Sequence, residues 1–193
     1  MKNEKLNLQL EKNKIRQEIL KTRNNLSTEE VEKKSNLIIQ NLEKFIKNAE
    51  NVMIFMNMKN EVRITKLMEL YPEKNFFISK ITDSKNREMK ISKYNENELV
   101  LHKFGYYESS SNDFYDEKIL DIVIVPAIAF DFGKNRIGFG GGYYDTFLKK
   151  VREKNKKVLF IGVCYNFQII KNVPIEEHDI VLDLVVNENQ IIR

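Results

Sequence analysis

Apolar residues recur at helical spacing through the start of the chain. Leu8, Ile15, Ile19 and Leu26 fall near one face with charged residues between them, which predicts a helix. Ser27-Thr28-Glu29-Glu30 has the form of a capping box, so a second helix is expected to begin at Thr28. Leu37, Ile38, Leu42, Phe45 and Ile46 give that helix its apolar face. The pattern then shortens. NVMIFMN (51–57) reads as a buried strand, followed by a polar turn. Ile64, Leu67, Met68 and Leu70 predict a short helix that must end before Pro72. Residues 75–79 and 88–94 read as strands, and 95–118, rich in Asn, Ser and Glu, as a mostly irregular surface loop. IVIVPAIAF (122–130) is apolar on both faces, as suits a central parallel strand covered by helices. YDTFLKKVREK reads as a helix, KVLFIGVCY (157–165) as another buried strand, and LDLVV (182–186) as the last. Strands alternating with helices predict an α/β three-layer sandwich with a mainly parallel central sheet flanked by helices. One domain is expected over residues 1–193, its N-terminal helical pair (about 4–47) packed on the sheet.

Composition narrows the picture. Hydrophobic residues at 42% and charged residues at 31% are globular proportions. One cysteine excludes an internal disulfide and a multi-cysteine zinc site, and two histidines exclude a histidine-rich metal centre. There is no apolar run long enough to span a membrane and no apolar signal core at the polar start, so the expected location is cytoplasmic. A net charge of +4 is too small to argue for nucleic acid. Its distribution says more: residues 131–157 carry eight basic against three acidic side chains, and 171–193 two against five. That suggests an anionic ligand in one place and a cation in another. The basic stretch KKVREKNKK (149–157) leaves a nucleic-acid binder as an alternative, against the simpler expectation of a solvated helix end.

The segment RIGFGGGYYD carries the chemistry. Four of the seven glycines of the protein lie in the five positions 138–142, after a buried strand and before a helix. Such a turn lets backbone N–H groups approach a phosphate at a helix N-terminus, and Arg136 adds a fixed cation with forked donors. The common fingerprints do not fit. Phe139 stands where a Walker A loop needs Lys, and Tyr143 where a dinucleotide loop needs its third glycine. Asp145, in the first turn of the helix, is either a dipole-favoured cap or a Mg²⁺ ligand. Asp179 in EEHD is a second, distant carboxylate. Cys164 reads as core filler and His178 as structural.

The motif order over nearly the whole chain resembles the 5-formyltetrahydrofolate cyclo-ligase family. It runs KNKIR, TRNNLSTEE, NEVRIT, VPAIAFD, RIGFGGGYYDTFL and PIEEHDIVLDLVV. The resemblance implies a small-molecule enzyme, monomeric, closing 5-formyltetrahydrofolate to 5,10-methenyltetrahydrofolate. The closure would use ATP and Mg²⁺, release ADP and phosphate, and pass through a phosphorylated formyl group. It implies that Lys12, Arg16 and Arg136 serve catalysis and, with Ile137, Gly138, Phe139, Gly140, Gly141, Gly142, Tyr143 and Tyr144, hold ATP. Met56 and Glu61, with the stretch from Phe139 to Tyr143, would hold the folate, and Asp145 and Asp179 the Mg²⁺. FGYYESS replaces the family's Phe-Gly-Ile-x-Glu-Pro, so the loop over the folate tail departs from the pattern. The aromatic residues Phe55, Tyr94, Phe104, Tyr106, Phe139 and Tyr143 are all candidates to stack on the pterin. A sugar-phosphate isomerase or coenzyme A transferase-like enzyme on a similar sheet is the alternative activity.

Overall fold

The computed structural model describes residues 2–103 and 105–193. Helix α1 spans Lys2–Asn24 and α2 spans Thr28–Ile46. The capping box closes as expected: Ser27 Oγ accepts the Glu30 N–H at 3.2 Å, and Glu30 Oε2 accepts the Ser27 N–H at 2.8 Å. Strand β1 is Asn51–Met53, α3 is Lys66–Leu70, β2 is Asn75–Asp83 and β3 is Glu88–Lys93. A short hairpin follows, β4 (Leu99–Leu101) against β5 (Tyr107–Ser109). Then come β6 (Ile122–Pro126), β7 (Ala129–Phe130), β8 (Arg136–Ile137), α4 (Tyr143–Lys154), β9 (Leu159–Val163), β10 (Leu184–Val186) and β11 (Ile191–Ile192).

Seven strands form one sheet in the order β11-β10-β9-β6-β1-β2-β3. The five inner strands run parallel, and β3 and β11 are antiparallel edges. Alternation along β6 divides the core. Ile122 and Ile124 face one side, where Ile38, Leu42 and Ile46 of α2 and Leu67 of α3 cover them. Val123 and Val125 face the other, under Phe147, Leu148 and Val151 of α4. Each fully covered aliphatic side chain contributes about 1.5–3 kcal/mol. Helix α1 packs by Ile15 and Ile19 on Ala129 and Ile137.

Two expectations change. The 122–130 run is not one strand. Pro126 lacks the N–H needed to extend the ladder, and the chain turns so that β7 pairs antiparallel with β8. The 95–118 segment is not mostly irregular, because it contains β4 and β5. Val100, Leu101 and Tyr107 are exposed there, so no buried stripe marks the pair.

Candidate functional site

The carboxyl ends of β1, β6 and β9 open toward one rim of the sheet, where ligands of open α/β sheets bind. The β7–β8 hairpin launches the glycine loop from this rim. Its turn is clamped by Asp131, whose Oδ1 accepts the Asn135 N–H at 3.0 Å and whose Oδ2 accepts the Val173 N–H at 2.9 Å. Gly140 (φ +96°) and Gly142 (φ +70°) sit in the left-handed region, which a residue with a Cβ occupies only under strain. Gly142 is also the N-cap of α4 and brings no side chain to satisfy the first-turn N–H groups.

Lys12 and Arg16, one turn apart on α1, share a face. Arg16 Nε donates to the Gly138 carbonyl at 2.8 Å, and a Cβ on Gly140 would lie 3.6 Å from its Nη2. Burial pulls the Arg16 guanidinium below its ordinary value, with Glu176 opposing. Lys12 Nζ donates to Glu176 Oε2 and Asp179 Oδ2, both at 3.0 Å. Burial alone would push the Lys12 ammonium down, but these two carboxylates outweigh it and hold it above its ordinary value. Lys14 is exposed. The four-residue spacing therefore separates the pair from its neighbour as a helix should.

Arg136 is buried, and its forked donors are engaged: Nη2 donates to Asp145 Oδ1 at 2.6 Å and Nη1 to the Ile180 carbonyl at 2.8 Å. The Ile180 N–H also points at Asp145 Oδ1, at 3.4 Å. Asp145 is thus tied to the residue after Asp179, so the two carboxylates predicted as metal ligands come to neighbouring segments. Asp179, Glu176 and exposed His178 offer ligand atoms within 4.8 Å of one another. Carboxylate oxygens are the donors that Mg²⁺ prefers, and each acid here has a second oxygen besides the one bonded to a cation, so the set fits that ion.

Glu61 lies after β1 and is 6% exposed. Its Oε2 accepts the Met58 N–H at 2.8 Å and its Oε1 accepts from Arg23 Nη1 at 3.2 Å. Burial raises the Glu61 carboxyl above its ordinary value, opposed by Arg23 and the Met58 N–H. The Tyr144 hydroxyl is pushed well up by burial and then by the Glu61 charge. Met56 is half-buried against the α2-side core. Phe139, half exposed in the glycine loop, lies with its ring centroid 5.7 Å from the Arg23 guanidinium.

Of the other aromatic candidates, Phe55 is buried in the core and Tyr94 packs against it. Tyr106 stacks on His102 with ring centroids 4.8 Å apart, and burial, Glu108 and Tyr143 push its hydroxyl up to about 12. Tyr143 packs partly on the α4-side core. Phe104 lies outside the described residues. Cys164 is buried, its thiol raised by burial. In the basic stretch, Lys150 and Lys154 bond Glu117, and Arg152 bonds Asp183, so these cations are neutralised locally.

Three residues at the site had no role in the sequence reading. Glu176, beside Asp179, had no signal apart from the acidic run. Arg87, in the β2–β3 turn, lies over the loop: a Cβ on Gly142 would fall 2.9 Å from its Nη1. Nothing in its sequence context points there. Arg23 stands in a quoted motif, but its partner is far along the chain.

By fold, the protein is an α/β protein whose glycine loop and Glu61 stand at the carboxyl ends of a parallel sheet, the rim at which such folds bind ligands. A model of the 5-formyltetrahydrofolate cyclo-ligase family matches residues 9–188, so the chain belongs to that family of ligases. A Schizosaccharomyces pombe protein named probable 5-formyltetrahydrofolate cyclo-ligase is 33% identical over 161 residues, 76% of this chain and 79% of its own length. The mouse 5-formyltetrahydrofolate cyclo-ligase is 27% identical over 91% of this chain and 92% of its own. The solution structure of Aquifex aeolicus 5,10-methenyltetrahydrofolate synthetase is similar, with a TM-score of 0.81 at 32% identity, covering 94% of this chain and 92% of that one. The Mycoplasma pneumoniae 5,10-methenyltetrahydrofolate synthetase structure shares the fold, with a TM-score of 0.75 at 24% identity over 92% of this chain and 99% of that one.

Proposed function

We propose that the enzyme cyclises 5-formyltetrahydrofolate to 5,10-methenyltetrahydrofolate at the expense of ATP, with Mg²⁺, releasing ADP and phosphate. The observation that carries the reading is the approach of α1 to the glycine loop. Arg16 bonds the loop at Gly138 while Lys12, one turn away, bonds the acidic segment at Glu176 and Asp179. A cradle of backbone N–H groups at a helix N-terminus, with cations from a second element, suits a polyphosphate. Every group named comes from one chain, so the reading needs no partner subunit.

The formyl group on N5 is amide-like, and its oxygen is a poor leaving group. In the proposed reaction that oxygen attacks the γ-phosphate of ATP, and ADP leaves. N10 then attacks the formyl carbon and loses its proton. The carbon–oxygen bond breaks with release of phosphate, leaving the methenyl bridge. The protein's work is in-line positioning and charge stabilisation. Arg16 and Lys12 would neutralise phosphate oxygens, and residues 138–142 would enclose them. Arg136 holds Asp145 and the Ile180 carbonyl, so it fixes the loop and the acidic segment together. Glu61, an acceptor-only carboxylate, suits the N–H groups of the pterin. Asp145 and Asp179 would hold Mg²⁺. When bound, that ion would screen charge on the phosphates.

ADP release measured with and without 5-formyltetrahydrofolate tests the reading. Folate-dependent release is expected, whereas a sugar-phosphate isomerase or coenzyme A transferase-like enzyme would release none. The α1 face is tested separately. Lys12→Met should raise KM for ATP at least about tenfold, equivalent to roughly 1.4 kcal/mol. Lys14→Met should change it less than about twofold. Lys12 is buried between two carboxylates, so its loss should also lower the melting temperature, and that of exposed Lys14 should not. Coinciding ATP saturation curves for the two variants would remove α1 from the nucleotide site.

A further inference from the structure

Arg23 closes the carboxyl-terminal turn of α1 and is 4% exposed. Its Nη1 donates to Glu61, but its Nε–H has no hydrogen-bond partner among the described residues. An arginine donor buried without an acceptor is costly unless something else occupies the position. Arg23 also lines a small cavity with Phe55, Glu61, Pro126, Val163 and Gln168. That cavity has room for about one water molecule, which is the size of a single oxygen.

The other polar groups around it are spent or of opposite type. Gln168 Nε2 donates to the carbonyls of Ala127 and Ile128, and its Oε1 accepts the Tyr165 N–H. The Glu61 oxygens each accept one bond and have a lone pair left. Arg23 and Glu61, which both line the cavity, therefore bring carboxylate acceptors and one unsatisfied N–H donor to it. A 2-amino-4-oxo pyrimidine edge is complementary to that order: its 2-amino group and N3–H donate, and its C4 oxygen accepts.

We infer that Arg23 is a specificity-determining residue whose Nε–H donates to the C4 oxygen of the pterin while its Nη1 orients Glu61 for the adjoining N–H groups. The inference rests on the folate reading of the site. The Arg23 guanidinium also lies near the Phe139 ring, so the residue links the carboxylate pocket to the glycine loop. A residue serving only as counter-ion to Glu61 would need its charge and not its Nε–H.

Calorimetric titration without ATP tests this, using 5-formyltetrahydrofolate and its 4-amino-4-deoxy analogue, which presents a donor in place of the C4 oxygen and an acceptor in place of N3–H. The wild-type protein should bind the 4-oxo compound at least about tenfold more tightly. Arg23→Lys keeps a cation for Glu61 but loses the fork, and it should shrink that preference at least about threefold, the share that Glu61 reads at N3 remaining. Thermal melts establish that the variant is folded at the titration temperature. A folded Arg23→Lys protein that keeps the full preference would overturn the role of Nε–H and leave the folate site standing. Equal wild-type affinity for the two compounds would overturn it without any variant. A wild-type protein that binds neither compound would defeat the folate reading itself, and this inference with it.

Discussion

Glu61→Gln is expected to raise KM for 5-formyltetrahydrofolate about 5- to 150-fold, because a buried polar contact left mispaired costs about 1–3 kcal/mol. KM for ATP should change far less. Glu61 is buried, both its oxygens are directed by Arg23 and the Met58 N–H, and Gln would put an N–H₂ where one acceptor stood. Acidity gives a second readout. Burial holds the Glu61 carboxyl above its ordinary value. The accepting, ionised form is therefore lost as pH falls, beginning at a higher pH than for an exposed glutamate. Folate KM in the wild-type protein should rise on that side, and the Gln variant should lack this limb. Steady-state kinetics with each substrate varied across pH make the check. Equal effects on both KM values would mean that Glu61 supports the fold through Arg23.

Asp145→Asn is expected to lower kcat about a hundredfold or more, since loss of a charged ligand to a catalytic metal removes several kcal/mol of transition-state stabilisation. Part of the loss should return as Mg²⁺ is raised. Asn keeps an oxygen for Arg136 Nη2, so the folded state should survive with a lowered melting temperature. A Mg²⁺ titration of kcat, with circular dichroism alongside, separates the two roles of this carboxylate. No recovery with Mg²⁺ together with lost ellipticity would make Asp145 the structural counter-ion of Arg136 only.

The layered fold was legible because its strands and helices carry long-lived patterns. The continuous apolar runs at 122–126 and 159–163 mark strands buried on both faces, and α2 declares its start by a capping box and its face by spacing. The β4–β5 pair was not legible, because Val100, Leu101 and Tyr107 stay exposed and leave no buried stripe. Strand β11 is two residues long, too short for any periodicity.

The site divides the same way. The Lys12–Arg16 face follows from helical geometry alone, and the glycine loop from its composition and position. Pairings that depend on tertiary approach left no trace. Lys12 read as a cation for ATP, with nothing to mark its carboxylate partners, which lie 164 and 167 residues away. Arg136 read as a fixed cation beside a phosphate, and only the structure shows that its donors hold Asp145 and the Ile180 carbonyl. Arg23 and Glu61 each stood in a motif, and only the fold shows that they are one buried pair.

Mixing the protein with ATP, Mg²⁺ and 5-formyltetrahydrofolate and following the methenyl chromophore is the most direct measurement of the proposed reaction. Product should form at a rate proportional to enzyme, and omission of either ATP or Mg²⁺ should abolish it. Conversion that proceeds without ATP would contradict the phosphorylated route, and ATP hydrolysis indifferent to folate as the main activity would contradict the substrate.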